Sequence, residues 1–517
     1  MDFQLHRPHG YRGKADKHLK DAIRALKYTL IKARRSLTYN TLRLSDKEFE
    51  NLAAVLVEFA EDIHNDIGIW KSYEQYNLEY FNTTLPVILK PNESKEDKEL
   101  LKYRVWHLMW VLCTEFNPDI ILKPTHKDLL ILVELISDFL QRQFSKIPKY
   151  STIKKFLSQP NQYGWDVKRK LVWLGRHSYL FRYNFNNYYV DTQYNGKIDI
   201  PIIDDFICQQ NTCWSGLGVI DILAATLNIS EQQRADLRSW YERHLAAYKI
   251  LAIKGPIMEA MNIVNEKPYI IRAGEHSRQF RAQQLVVGSL VPWNNEWYWS
   301  GNQSVYKDTN EKVIQELKNH FLQKPKIAYR YCKQLAQRAR ESMEKYYNEF
   351  VKYHGDDLVS YPDGLSMTAD LQKIYRLRYE SQPKEVVLDI MKKHNLSHPW
   401  PNITFPKDLI ESENGVGVYL NPDEGLEIMV EFNSFINGLK KKGINLDEDE
   451  VEAIQGFIFS DKISPKVIKK IVQKYVDESI ASVFYIDKSN CKYFLDYLLR
   501  RYKGHYYRNR YPGISFV

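Results

Sequence analysis

The stretch YKILAIKGPIMEAMNIVNEKPYIIR, residues 248–272, decides the fold class of the chain. It holds three runs rich in β-branched and aromatic residues, separated by Gly-Pro and Asn-Glu turn signals. The stretch LVVGSLVPWNNEWYW, residues 285–299, adds two more such runs around an Asn-Asn turn. Short strands joined mostly by tight turns avoid exposed edges by closing into a small barrel. We therefore predict a five-stranded SH3-like or OB-like barrel within residues 247–308.

Helical periodicity surrounds this module on both sides. Ser45-Asp46-Lys47-Glu48 forms a capping box ahead of apolar residues at helical spacing, which predicts an amphipathic helix. The fold class is therefore predicted to be mainly α with a small β-barrel module, an α+β fold. Other helices are predicted over residues 98–115, 125–143, 204–208, 218–227, 231–244, 326–354, 425–441, 449–459, 465–476 and 489–502, with a strand at 416–420 and an irregular segment at 355–384.

The length of 517 residues exceeds what one hydrophobic core supports, so several folding units are expected. With 44% hydrophobic and 26% charged residues, the composition is that of a folded globular protein. We predict an N-terminal helical domain with a basic leader (1–150), a mixed, mostly helical segment (151–246), the barrel module (247–308), a long-helix segment (309–384) and a C-terminal helical domain with a basic aromatic tail (385–517).

Export, membrane and metal signals are weak. The N-terminus has no apolar run of signal-peptide length, and the 5 cysteines are thinly spread, as reduced thiols of a cytoplasmic protein are. Cys208 and Cys213 have no second pair at zinc-site spacing, and the Glu61–His64 pair lacks the second copy that a di-metal bundle needs. We expect no metal, no other cofactor and no membrane partner.

Positive charge is concentrated at the two ends of the chain. The formal net charge is +9 at pH 7, yet residues 1–35 hold ten Lys/Arg against three Asp/Glu. Residues 497–510 hold five Lys/Arg and no acid. The body between them is therefore close to neutral, and the ends are the expected anion-binding parts.

The C-terminal end interleaves cations with aromatic rings, a mixture that neutralises phosphates and stacks on unpaired bases. This pattern predicts nucleic-acid binding by Arg500, Arg501, Lys503, Tyr506, Tyr507, Arg508 and Arg510. The alternative is that the same residues dock on their own protein through Arg–Tyr stacking and carboxylate pairing. The sequence leaves both interpretations open.

Three tryptophans in the barrel module are candidates for a ligand face. Trp297 and Trp299 project from one side of their strand, and Trp293 precedes the turn before them. Aromatic rings on a small barrel stack bases or hold proline-rich peptides, but they also fill barrel interiors. Of the two readings, we favour packing.

Asp204-Asp205 is the carboxylate pair best placed for acid–base chemistry, since a helix start beside an apolar stretch can hold one raised pKa. An enzyme built on this pair would use His177 or His244 as a partner. Helix capping is the simpler reading of the same residues. Motifs of common nucleotide-binding and hydrolytic enzymes are absent from the sequence, which lowers the expectation of an enzyme.

Several short motifs stand out along the chain: Ile203–Phe206, Trp214–Gly218, Trp240–His244, Leu290–Gly301 and Arg501–His505. In these motifs the chain resembles a family of bacterial proteins catalogued only as a domain of unknown function, over most of its length. The resemblance implies no activity and no catalytic residues. The leading hypothesis is therefore a non-enzymatic protein that binds nucleic acid or a nucleic-acid-associated partner. The alternatives are the carboxylate enzyme and a scaffold subunit of a larger assembly.

Overall fold

The computed structural model describes residues 6–13, 16–35, 37, 42, 44–88, 97–117, 121–192, 199–306, 310–380, 382–394, 396–400, 405–475, 478–487 and 491–511. The chain forms two compact units, Met1–Lys318 (unit 1) and Asn319–Val517 (unit 2). The five segments predicted from the sequence stay predictions. Within the described ranges, no helix combines the length and apolar composition needed to cross a membrane.

Over the residues that the structure describes, unit 1 begins with eleven α-helices. They are α1 (Lys17–Arg34), α2 (Asp46–Asn65), α3 (Ile69–Phe81), α4 (Asp97–Phe116), α5 (Lys127–Phe144), α6 (Thr152–Leu157), α7 (Gly164–His177), α8 (Arg182–Thr192), α9 (Ile200–Gln209), α10 (Val219–Thr226) and α11 (Glu231–Arg238).

Local sequence explains where these helices start. The predicted capping box is confirmed: the Ser45 hydroxyl accepts from the backbone N–H of Glu48, and the Glu48 carboxylate accepts from the backbone N–H of Ser45. The helix predicted from residue 125 begins at Lys127, and His126 is its N-cap, since its ring accepts from the backbone N–H of Asp128. An aromatic cluster of Trp70, Tyr73 and Trp214 lies fully buried in the core.

The β module comprises β1 (His244–Lys254), β2 (Ile257–Asn262), β3 (Pro268–Arg272), β4 (Leu285–Trp293) and β5 (Glu296–Tyr306). The strands pair in the order β1-β2-β3-β5-β4, and β4 pairs back with β1, so the sheet closes on itself. β3 and β5 run parallel, meeting at Ile271 and Trp297. The Asn294-Asn295 turn is confirmed, with φ values of 50° and 63° that suit a two-residue hairpin.

The β module starts earlier than expected. The helix predicted to reach His244 ends at Arg238, and a single 3₁₀ turn, Ser239–Glu242, leads into β1. The helix prediction for His244 was wrong, because His244–Ala247 pair with Val287–Leu290 of β4. The pairing outweighs the helix propensity of two alanines, a tertiary effect that local pattern does not contain.

After the boundary helix α12 (Glu311–Leu322), unit 2 alternates helices with short strands. The elements are α13 (Pro325–Tyr331), α14 (Lys333–His354), β6 (Leu358–Tyr361), α15 (Gly364–Glu380), α16 (Lys384–His394), α17 (Lys407–Ile410), β7 (Val416–Asn421), β8 (Gly425–Met429), α18 (Phe432–Lys440), α19 (Glu448–Phe459), α20 (Pro465–Tyr475), α21 (Glu478–Val483) and α22 (Cys491–Lys503).

Unit 2 contains a second sheet, in the order β6-β7-β8, which corrects two predictions. The segment 355–384 is not irregular, because β6 pairs with β7 and α15 follows. The helix predicted from Gly425 begins only at Phe432, since residues 425–429 pair with β7. The single helix predicted over 326–354 is broken at Cys332, whose backbone is extended (φ −135°, ψ 97°).

Candidate functional site

The predicted basic tail is mostly folded structure. Arg500, Arg501 and Lys503 belong to α22, and a 3₁₀ turn over Gly504–Tyr507 follows directly. Arg501 and Lys503 are buried, so neither side chain presents its charge to a ligand in solution. The seven predicted residues therefore divide into two groups. Arg501 and Lys503 form the interior group, and the surface group consists of Arg500, Tyr506, Tyr507, Arg508 and Arg510.

Lys503 is the innermost of these cations. Its Nζ donates to the backbone carbonyl of Ser460, and burial lowers the pKa of its ammonium group to about 7. Glu427, the carboxylate whose charge raises this pKa most, is buried too and accepts hydrogen bonds from Asn421 Nδ2 and the Ser464 backbone N–H. Lys503 is an internal structural residue.

Two tyrosines of the predicted set are stacked against arginines of the same chain. The Arg500 guanidinium lies 4.2 Å from the Tyr507 ring centre, and that of Arg510 lies 4.7 Å from the Tyr506 ring centre. Arg510 also forms an ion pair with Glu424. These contacts are the ones expected if the segment docks on its own protein, and they fix the surface group in place.

The docked segment forms one wall of a cleft of about 550 Å³, called here the C-terminal cleft. Its charged and aromatic lining consists of five cations, two tyrosines and two carboxylates: Arg340, Lys466, Lys469, Arg508, Arg510, Tyr506, Tyr507, Asp423 and Glu424. Four of the seven residues predicted from the tail thus line one cavity, together with cations from α14 and α20.

The carboxylates only partly neutralise the cleft. Lys466 pairs with Asp423 at 3.1 Å on an exposed surface, a contact of little energetic worth. Lys469 pairs with Asp496 of α22, and Arg510 with Glu424. Arg340 is exposed and has no carboxylate partner among the residues that the structure describes. The lining therefore keeps an excess of positive charge.

Arg340, Lys466 and Lys469 were not among the predicted site residues. The segment SPKVIKKIVQKY, residues 464–475, carries the signal that would have found two of them, because apolar residues at helical spacing bury one face of α20. The lysines between them then lie on the other face. No local signal marks Arg340, which reaches the cleft from a helix more than one hundred residues earlier.

The basic leader contributes a second cationic surface, within unit 1. Helix α1 buries Leu19, Ala22, Leu26, Leu30 and Ala33 and packs on α2 and α5. Its exposed face carries Lys17, Arg24, Tyr28 and Lys32, with Tyr28 72% exposed. We call these four residues the α1 basic face; residues 1–5 lie outside the described residues.

Other leader residues are structural. Arg7 makes a bidentate pair with Glu61, at 3.1 and 2.7 Å, inside a buried network that also holds Glu58 and Arg182. Glu61 also accepts from the Ser151 hydroxyl, and His64 contacts the Ile147 carbonyl at 3.0 Å. The Glu61–His64 pair therefore serves packing. Over the described residues, no three His, Cys, Asp or Glu side chains gather as metal ligands would.

The three tryptophans occupy different surroundings. Trp293 is fully buried, and its indole N–H donates to the Asn161 carbonyl at 2.9 Å. Trp297 is half-buried against His244, with ring centres 4.4 Å apart. Trp299 is half-buried beside Phe280 at 6.1 Å. Trp293 is a packing residue, and the other two retain some accessible surface.

Asp204 and Asp205 lie inside α9, and Asp199 is its N-cap, so neither aspartate is a helix cap. Asp204 is buried and pairs with Lys168 and Arg243, and the Ser300 hydroxyl lies 3.1 Å from both of its oxygens. Burial raises the pKa of Asp204, but the two cations outweigh it and hold that pKa below its usual value. This direction is the opposite of the raised pKa that an acid catalyst needs.

The histidines proposed as partners of this pair have their own surroundings. Burial, assisted by the charge of Arg176, lowers the pKa of His177 to about 4 at the end of α7. His244 begins β1, beside Trp297. Asp204 of α9 therefore links three elements: it pairs with Lys168 of α7 and contacts the Ser300 hydroxyl of β5.

Comparison with known families gives one match. Residues 33–201 match the family described as Protein of unknown function (DUF3843). The expected resemblance to a domain of unknown function is thereby confirmed, for about a third of the chain. The motifs on which that expectation rested all lie beyond residue 201, so its wider extent and the bacterial origin stay predictions. No curated protein and no solved structure matches the chain.

Proposed function

We propose that the protein binds nucleic acid, without catalysing a reaction, through the C-terminal cleft. The observation that supports this proposal is the lining of the cleft, in which five cations and two tyrosines outnumber two carboxylates. Cations on a concave surface attract the phosphate backbone and release its counterions. A cleft of about 550 Å³ admits a segment of backbone rather than a whole duplex.

The chemistry of the cleft favours phosphate contacts over base reading. Arg500 and Arg510 already cover the rings of Tyr507 and Tyr506, so little aromatic surface is left for bases. Tyr507 is 36% exposed and is the tyrosine best placed to contact a base. We expect sequence-independent binding, stronger for single strands, which bend into a cleft more easily than a duplex.

The test is a fluorescence-anisotropy titration of the full-length protein with labelled single-stranded DNA, single-stranded RNA and duplex DNA. Affinity should fall steeply between about 50 and about 200 mM NaCl. In the triple variant Arg340→Ala, Lys466→Ala and Arg508→Ala, the slope of log K against log salt for single strands should be shallower by about 2, as about 0.7 is lost per phosphate contact.

A matched control removes three cations of unit 2 that do not line the cleft. Lys407→Ala, Arg376→Ala and Lys442→Ala change exposed side chains and lower the net charge by the same amount. This control should leave the slope nearly unchanged. Absent or salt-insensitive binding, or equal losses in the two triple variants, would contradict the proposal.

We also propose that the β module is a barrel of the OB type. Its strand order supports this, because β3 neighbours β5 where a simple meander would place β4. Such a Greek-key order is typical of OB barrels, many of which bind oligonucleotides. An experimental structure with meander pairing would contradict this assignment.

The free thiols of all 5 cysteines support a cytoplasmic location.

A further inference from the structure

A second cavity, of about 270 Å³, lies inside unit 1 where α7 meets the β module. Five of its lining side chains are aromatic: Trp165, Trp240, Phe280, Tyr298 and Trp299. The Phe280 and Trp299 rings are nearly parallel, with centres 6.1 Å apart and planes at 24°. Trp165 is 43% exposed, so one wall of the cavity is open to solvent.

Two side chains that line this cavity, Lys168 and Arg272, can donate hydrogen bonds but cannot accept them. Each is held by a carboxylate that is not itself part of the lining, Asp204 and Glu296 respectively. Because no carboxylate contributes to the lining, the cavity suits a ligand that accepts hydrogen bonds.

The cavity is held rigidly. At Gly164, a Cβ atom would lie 2.6 Å from the Tyr298 ring, so only glycine allows α7 to approach the module this closely. Lys168 is fixed by Asp204 and by the Ser300 hydroxyl at 2.9 Å. Its ammonium group lies 5.9 Å from the Trp240 ring centre. Aromatic walls and donors are therefore pre-positioned, which lowers the entropy cost of binding.

We propose that this cavity binds a small planar aromatic molecule that carries an accepting oxygen, either a carboxylate or a ring carbonyl. The aromatic walls stack on the ring, and Lys168 and Arg272 donate to the oxygen. A volume of about 270 Å³ holds a single or fused ring and excludes anything as large as a dinucleotide. This site is independent of the C-terminal cleft.

The test titrates the full-length protein with two kinds of planar probe, followed by tryptophan fluorescence and saturation-transfer NMR. Benzoate and salicylate represent aromatic carboxylates, and uracil and guanine represent ring carbonyls. Cyclohexanecarboxylate has the same charge as benzoate but no planar ring. We expect saturable binding of at least one planar kind and none of cyclohexanecarboxylate.

Variants then locate the binding. Trp165→Ala should weaken it at least about tenfold, since it removes an exposed wall with little effect on the core. Tyr150→Ala, which removes another exposed ring of unit 1, is the matched control and should bind normally. Lys168→Met should weaken a carboxylate probe most. The proposal is overturned by no saturable binding of any planar probe, by equal binding of cyclohexanecarboxylate, or by unchanged binding in Trp165→Ala.

Discussion

Lys503 places a basic amine in the interior of unit 2, where it donates to the backbone carbonyl of Ser460. Burial holds its pKa at about 7, against about 10.4 for an exposed lysine. The folded state therefore binds fewer protons than the unfolded state between these two values. A single residue thus makes the stability of unit 2 depend on pH in a range in which most other side chains do not change their protonation.

The first prediction concerns Lys503→Met. Because the folded pKa is depressed, wild-type stability should rise with pH from about 7 to about 10, by up to about 1.4 kcal/mol per pH unit. In Lys503→Met this rise should be absent. Urea unfolding at several pH values measures it, with Lys462→Met, a change at an exposed lysine, as the control. A parallel pH dependence in wild type and Lys503→Met would contradict the prediction.

At the level of single residues, the sequence indicated which side chains of the C-terminal segment belong together, but it did not indicate which of them are buried. The sequence indicated that Arg500, Tyr506, Tyr507 and Arg510 act together, and the structure pairs them. The burial of Lys503 could not be predicted, because the groups that surround its amine, Ser460 and Glu427 among them, are far away in sequence. Likewise, the two cations that hold Asp204 come from α7 and from the segment before β1.

At the scale of elements, α1 separates its residues by face. Its buried side chains recur at helical spacing and pack on α2 and α5, which leaves the α1 basic face exposed. One acid, Asp21, lies on the same side, 3.7 Å from Arg24, and an exposed pair of this kind is worth little. We therefore propose the α1 basic face as a second surface for phosphate groups.

The second prediction tests this face. Lys17→Ala, Arg24→Ala and Lys32→Ala together should weaken binding of single-stranded DNA and reduce the salt slope, because each change removes one phosphate contact. Three cations on or after α5, changed as Lys127→Ala, Arg142→Ala and Lys146→Ala, are the matched control. Anisotropy titrations measure both sets. Unaltered binding in the α1 variant would exclude this face from the nucleic-acid interface.

Elements with strong local signals were predicted well, and elements that depend on pairing were not. The capping box of α2 and the turn at Asn294-Asn295 were found because each needs only neighbouring residues. β8 was read as helix because its strand form depends on β7. The helix break at Cys332 was missed because no glycine or proline lies beside it in the sequence.

At the scale of the whole molecule, the chain forms two units that the sequence did not separate at residue 318. Each has its own buried core. That of unit 1 includes Trp70, Tyr73 and Trp214, and that of unit 2 includes Phe350, Val416 and Leu420. The α+β class and the five-stranded module were predicted. In the sheet of unit 2 a strand was predicted at 416–420, whereas β6 and β8 were missed because they form by pairing with it.

The last prediction uses this division. Two units with separate cores are expected to unfold in two transitions in urea, each sensitive to changes in its own unit. Asp204→Asn should lower the free energy of unfolding of unit 1 by about 3–5 kcal/mol, because it leaves Lys168 and Arg243 without their buried carboxylate. It should leave the transition that Lys503→Met alters untouched. Tryptophan fluorescence and circular dichroism follow the two transitions; a single transition shifted by both variants would show that the units unfold as one.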